Sequence, residues 1–399
     1  MRMQQIWGAW VFGSARRLHV CRIRTRTSAV ARMPRGLVIV LGIVAGLLAM
    51  PSHADEVSFF RIGTGSTSGT YFPVGGLIAS AISQPPGSRP CDRGGSCGVP
   101  GLIAVVQSTT GSVANVDAIA EGTLESGFSQ ADVAYWASTG TGMFAGRGAV
   151  DSLRTIANFY PESLHLVVRR DLGVWRVPDL RGRRISLDRE GSGSRVDALL
   201  ILAAYGLGPD NLEIVEASPG EAIDMMRDGT LDAFFMIVGT PGQAVAELAD
   251  ESLIALLPID GPEAEILTTI YPFFSRDLIP SGTYFNVPAT ETLSVGAQWL
   301  VRAELPEQQI YEVTRALWHD NTRQLLENGH PKGRLIRKET ALDGLGVPLH
   351  PGAARYYQEV GLLGEGEVPE NGLTNGTSEA GEATNAGEEP PANPATESE

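Results

Sequence analysis

Three short runs in this chain combine glycine with hydroxyl side chains: Gly63-Thr-Gly-Ser-Thr-Ser-Gly-Thr70, Ser108-Thr-Thr-Gly-Ser112 and Gly191-Ser-Gly-Ser194. Glycine lets backbone approach a ligand closely. Each run precedes an apolar, helix-like stretch, whose first N–H groups lack intrahelical partners and carry the positive end of the helix dipole. Ser and Thr hydroxyls add donors without adding charge. Three such runs brought together would cradle an anion. Any one of them serves equally well as a helix cap, the usual work of Ser and Thr. The candidate ligand-binding residues are Ser66 and Tyr71 from the first run, Gly111, Ser112 and Asn115 from the second, and Gln130 beyond the following strand. Ser192 and Ser194 come from the third run, and Thr240 from a later strand end.

Patterns for catalysis and cofactors are missing from the sequence. Beyond residue 54 the histidines are His165, His319, His330 and His350. None has metal-pair spacing and none stands in a triad pattern. Neither the second nor the third run has a Gly-x-Ser-x-Gly frame. Gly63-x-Gly65-x-x-x-Gly69 is one residue too long for the dinucleotide fingerprint and lacks its downstream acid, and no P-loop occurs. The expectation is a binding protein with no catalytic residue, no metal and no cofactor.

The elements that must position these runs alternate between strand-like and helix-like, which predicts an α/β fold. Strands are expected at 58–62, 102–107, 126–130, 155–160, 164–169, 184–187, 212–215 and 233–238. Helices are expected between them. One stretch echoes another. Residues 115–128 and 221–234 both read as a helix ending in acidic-Gly-Thr-Leu-acidic, followed by an apolar strand. Gly stops each helix. Two domains of similar build, each offering strand ends to a shared cleft, are the expected arrangement, since ligands bind beyond the carboxyl ends of strands in open α/β sheets.

Residues 37–50 are apolar, follow Arg32 and Arg35, and run into Pro51-Ser-His-Ala54. This predicts a secretory signal peptide cleaved after Ala54, too short for the roughly 20 residues of a membrane span. The Arg-rich residues 1–32 suit such a signal poorly, and Met33 is the expected start of translation. Residues 364–399 hold no Lys, Arg or aromatic residue and are expected to be a disordered acidic tail. The net charge of −15 argues against nucleic acid and anionic membrane as partners. Cys91 and Cys97 lie in a Gly/Pro-rich, exported segment and are expected to form one disulfide. A lone pair cannot supply a four-ligand zinc site.

Ile62-Gly-Thr-Gly-Ser-Thr-Ser-Gly-Thr-Tyr-Phe-Pro-Val-Gly-Gly76 resembles the opening of the TAXI receptors, the solute-binding subunits of one class of TRAP transporters. The likeness continues through Gln107-Ser-Thr-Thr-Gly-Ser-Val-Ala-Asn115, Tyr160-Pro-Glu-Ser-Leu-His-Leu-Val-Val168, Gly239-Thr-Pro241 and Leu349-His-Pro-Gly-Ala-Ala-Arg-Tyr-Tyr357. The resemblance implies a type II-like periplasmic binding protein fold, two α/β lobes joined by two crossing strands with the ligand between them. Lobe 1 is expected to span 55–160 plus 264–363, and lobe 2 161–263. The crossings are placed at 164–169 and 253–258. The resemblance also implies a periplasmic monomer that captures a small organic anion such as glutamate, glutamine or a 2-oxo dicarboxylate. Its partner would be an integral-membrane TRAP permease driven by an ion gradient. The alternatives are the binding protein of an ABC importer, a sensor receptor that presents its ligand, and an exported enzyme on the same fold.

Overall fold

The computed structural model describes residues 57–364. The expected leader, and all but the first residue of the expected tail, lie outside them. One sheet organises the described chain. Its strands are β1 (Ser58–Gly63), β2 (Leu102–Gln107), β3 (Ser126–Gln130), β4 (Leu153–Arg169), β5 (Arg184–Ser186), β6 (Glu213–Val215), β7 (Ala233–Val238), β8 (Ile254–Leu257), β9 (Ser275–Ile279) and β10 (Thr290–Arg302). Their order is β2-β1-β3-β10-β4-β7-β5-β6, with β8 on β4 and β9 on β10. Two parallel trios, β2-β1-β3 and β7-β5-β6, hang from the antiparallel pair β10 and β4.

Helices lie between strands, as the alternation predicts, except the last three, which follow the final strand. They are α1 (Tyr71–Ile82), α2 (Ser112–Ala120), α3 (Ala131–Thr139), α4 (Gly193–Ala204), α5 (Pro219–Arg227), α6 (Gln243–Asp250), α7 (Gly261–Ile270), α8 (Glu307–Leu317), α9 (Asp320–Gly329) and α10 (Pro351–Glu359). In α1 the buried residues Tyr71, Val74, Ile78 and Ile82 recur at helical spacing and form one apolar stripe.

Two cores mark two lobes. One gathers Phe60, Phe128, Phe159, Tyr160, Ala297 and Trp299, with α8 and α10. Phe128 stands edge-on to Phe159 at 5.5 Å and to Trp299 at 6.2 Å. The other runs from Leu164 to Val295, with Ile185, Ile201, Phe235 and Phe274, and takes in Ala131 at the start of the helix after β3. Strands β4 and β10 pass from one core to the other side by side, with Ser294 opposite Ser163, Gly296 opposite Pro161 and Ala297 opposite Tyr160. These are the two crossing strands.

The second crossing is therefore not at 253–258. Ile254–Leu257 is a four-residue edge strand paired with Leu166–Arg169 inside the second lobe. Residues 264–295 also belong to that lobe, because Ala264, Leu267, Phe274 and Leu293 bury in its core. A short apolar run reads alike as edge or crossing strand. The run that does cross, 290–302, is buried on both faces and so lacks the alternation that marks a strand. Pro161 also fails to split two strands, since β4 runs unbroken through it for 17 residues.

The internal echo has a matching structure. Gly122 and Gly229 both adopt positive φ, 73° and 69°, just past the ends of α2 and α5. Beyond each, an acid grips an arginine on the neighbouring strand. Glu125 accepts from the backbone N, Nε and Nη2 of Arg61, and Asp232 does the same for Arg184. Each lobe thus fastens its helix-to-strand junction in the same way.

Cys91 and Cys97 are joined, with Cα atoms 4.7 Å apart. The short pairing of Ser83–Gln84 with Val99–Pro100 brackets their loop. Replacing both cysteines with serine should lower the unfolding free energy by about 2 kcal/mol, the loop-closure value for so short a ring. Denaturant titration of the double variant against oxidised wild type measures this. No loss would mean that the bridge restrains nothing.

Candidate functional site

The parallel strands of each lobe end at the seam between lobes, and their loops meet there. From the first lobe come the loop after β1, the loop after β2 and Gln130 at the end of β3. From the second come the loop between β5 and α4 and the end of β7. They enclose a cavity of about 50 Å³. Its walls include Gly65, Ser66, Gly69, Thr70, Tyr71, Thr110, Gly111, Ser112 and Gln130 on one side. Asp188, Ser192, Gly193, Ser194, Pro219, Met236 and Ile237 lie on the other, and Glu162 is on β4.

The lobes touch directly around it. Ala114 donates its N–H to Gly191 O at 3.0 Å. Gly239 N donates to Thr70 Oγ1 at 3.1 Å. Gly111 sits at φ 133°, and a Cβ there would lie 3.3 Å from Ser192 Cα. The start of α2 thus faces the start of α4 across the seam, each presenting unpaired first-turn N–H groups.

Seven of the nine residues singled out from sequence line this cavity: Ser66, Tyr71, Gly111, Ser112, Gln130, Ser192 and Ser194. Capping explains only one of the serines. Ser192 Oγ accepts from Arg195 N at the start of α4. Ser112 Oγ instead accepts from Gln130 N at 3.1 Å, and Ser194 Oγ accepts from Ile237 N at 3.1 Å. Both tie a helix start to a neighbouring strand.

Asn115 and Thr240 do not line the cavity. Asn115 is wholly buried behind it, where Nδ2 donates to Thr64 O and Phe128 O and Oδ1 accepts from Thr109 Oγ1. It stands one turn into α2, so its side chain points back into the lobe and staples two loops together. Thr240 Oγ1 donates to Ser163 Oγ, which donates to Asp277 Oδ2. Its residue follows the end of β7, where the chain turns away from the cavity.

Sequence reasoning missed the acidic groups. Glu162 is buried, and Tyr71 donates its hydroxyl to Glu162 Oε2 at 2.6 Å. Burial pushes the Glu162 carboxyl up to about 8, against the pull of Tyr71 and Lys332. At neutral pH it is protonated and can donate. Burial also pushes Asp188 up to about 6, opposed by hydrogen bonds from Arg189 N and Ser192. Among the described residues, no Lys or Arg side chain lines the cavity. Glu162 sits in mid-strand with nothing in its spacing to mark it. Thr70 and Thr110 lie in the runs already singled out, and a wider reading of those runs would have included them.

Residues 62–361 match the NMT1-like family. The chain belongs to the NMT1-like family. Among solved structures, this NMT1-like protein is similar to three binding proteins. The alkanesulfonate-binding protein SsuA from Xanthomonas axonopodis pv. citri, bound to MOPS, has 14% identity and a TM-score of 0.40. The match covers 77% of this chain and 92% of that one. The periplasmic aliphatic sulphonate binding protein SsuA from Escherichia coli has 15% identity and a TM-score of 0.39, over 75% and 78%. PhnD1 from Prochlorococcus marinus, in complex with methylphosphonate, has 11% identity and a TM-score of 0.44, over 76% and 99%. Among the described residues of the NMT1-like chain, no helix is long and apolar enough to cross a membrane.

Proposed function

We propose that this chain is an exported, periplasmic solute-binding protein that captures a small anionic solute between its lobes and delivers it to a membrane importer. The observation that carries the reading is the closed seam cavity, where hydroxyls and helix starts of both lobes converge without a cationic side chain. An anion leaving water needs several donors to replace its hydration. Ser66, Thr110, protonated Glu162, which Tyr71 positions, and the first N–H groups of α2 and α4 can supply them. Neutral donors hold less tightly than a buried ion pair, which suits a carrier that must release its cargo. A cavity of about 50 Å³ is far below the several hundred Å³ of an ordinary ligand pocket, so the lobes must part to admit an organic solute. Parting is a hinge motion at β4 and β10, where Pro161 faces Gly296.

Of the two importer classes, the ABC-type stands first. The family that spans the domain is the NMT1-like one, and the TAXI grouping suggested by the motifs is a finer assignment that keeps the TRAP permease as second reading. Uptake by the reconstituted importer separates them: ATP dependence fits the first, and collapse with an ion gradient the second. Asp188 bears on the solute itself. Its carboxylate asks the bound molecule for a donor, which favours an amino acid such as glutamate or glutamine over a pure dicarboxylate.

The test is calorimetric titration of the purified protein with amino acids, dicarboxylates, sulfonates and phosphonates. Ser66→Ala, which removes a donor, and Tyr71→Phe, which removes the hydroxyl that positions Glu162, should each weaken binding of the best solute about tenfold, the value of one hydrogen bond to a charged group. Ser66 Oγ accepts only a 3.3 Å bond from Ser68 N, so melting should hardly change in that variant. Unchanged affinity in both variants would move the site elsewhere.

A further inference from the structure

Behind Gln130 the seam holds two carboxyl groups with no counterion. Asp132 opens α3 in the first lobe, and Asp197 lies in α4 of the second. Both are wholly buried. Asp197 Oδ2 accepts from Gln130 Nε2 at 3.0 Å, across the seam. Its Oδ1, and both oxygens of Asp132, have no hydrogen-bond partner. Two buried carboxylates facing each other cannot both stay ionised, because each would lose its hydration and repel the other. A proton shared between them removes the repulsion and gives one of the orphaned oxygens a donor. Once the lobes part, water reaches both groups and the need for that proton ends.

We infer that closure of the lobes takes up one proton, held between Asp132 and Asp197. The solute would then be captured together with a proton and released together with it. The inference rests on the reading that this seam opens and closes over a solute, but its test needs no solute.

The local electrostatics agree in direction. Burial pushes Asp132 up to about 6. Burial and the neighbouring Asp132 raise Asp197 well above the usual carboxylate range. In the open form both should return to roughly 4. Groups raised in the closed form favour closure fully below the open-form value. That advantage is lost as pH rises through the closed-form values, so alkali opens the seam. The other titratable and charged groups near the pair are Glu162 on β4, with Tyr71, Tyr160 and Lys332 beside it, and Asp188 and Arg195 at the start of α4. Burial in the closed form also raises Glu162, to about 8, and Asp188, to about 6, so each can add a proton of its own on closure and needs its own control.

Small-angle scattering of the full, solute-free chain from pH 5 to 8.5 reads the closed-to-open ratio directly. Wild type should be most compact at pH 5 and expand as pH rises, with the seam pair contributing as much as tenfold per pH unit, the slope of a single proton. Asp197→Asn keeps the shape and a donor but cannot ionise, so the pair's one-proton contribution to the slope should be missing. Asp132→Asn should do likewise, and it serves as the second variant if the first folds poorly. Glu162→Gln and Asp188→Asn, which remove the other acids that burial raises at the seam, should each retain the one-proton step that both seam variants lose. A pH-independent wild type, or an unaltered response in both seam variants, would overturn the inference. Failure of every solute to bind would instead strike at the carrier reading and leave this response intact.

Discussion

Gly193→Val should abolish tight solute binding, lowering affinity at least a hundredfold, while the solute-free protein melts nearly as wild type. Gly193 is the first residue of α4 and faces the other lobe. A Cβ there would lie 1.4 Å from Gln130 Oε1, 2.6 Å from Gln130 Cδ and 2.8 Å from Ser112 Oγ. Gln130 cannot swing aside cheaply, because its Nε2 is committed to Asp197 and its N to Ser112 Oγ. The clash exists only when the lobes are together, so it is relieved by parting them and not by unfolding either one. Its cost therefore falls on closure, and a hundredfold loss corresponds to about 2.7 kcal/mol. Gly146→Ala, where an added Cβ meets nothing within 4 Å, is the matched control. Titration calorimetry paired with melting curves distinguishes the outcomes. Wild-type affinity in Gly193→Val would mean that the solute does not depend on this seam.

Asn115→Ala should show the opposite balance: a loss of about 3 kcal/mol in stability, with solute affinity changing little in the molecules that remain folded. The side chain is wholly buried and makes all its bonds within the first lobe. Its removal takes the side-chain donor from Phe128 O and one of two from Thr64 O, which keeps Thr109 Oγ1, and each buried polar group abandoned costs about 1–3 kcal/mol. A domain of this size shifts its melting point by roughly 2–4 °C per kcal/mol, so a fall of about 6–12 °C is expected. Asn115→Asp would keep the shape but replace two donors with a buried charge, and should be no better. If Asn115→Ala melts normally but binds weakly, Asn115 belongs at the ligand after all.

These two residues show what the sequence could and could not convey. Gly193 stands within the third polar run without being among the candidate contacts, and Asn115, three residues past the second run, is a candidate contact that turns out to lie behind the cavity. The runs were legible because three Gly-, Ser- and Thr-rich stretches, each between a strand and a helix, recur in one chain. The roles within them were not legible. Whether a side chain faces a cavity or the body of its own lobe depends on which turn of the helix carries it, and on what the other lobe brings opposite.

The sequence by itself determined the α/β alternation, the three polar runs, the repeated helix-Gly-strand junction and the pairing of Cys91 with Cys97. All of these follow from local rules: helix and strand periodicity, the left-handed turn that glycine permits, and the short reach between nearby cysteines. Tertiary structure alone decided where the chain crosses between lobes, and which acids become neutral. The crossing strand 290–302 is hidden in sequence because burial on both faces erases its alternation. Glu162, Asp132 and Asp197 look like ordinary surface acids in an acidic chain. Only the closing of one lobe on the other, from residues as far apart as 132 and 197, takes their water away and raises their affinity for protons.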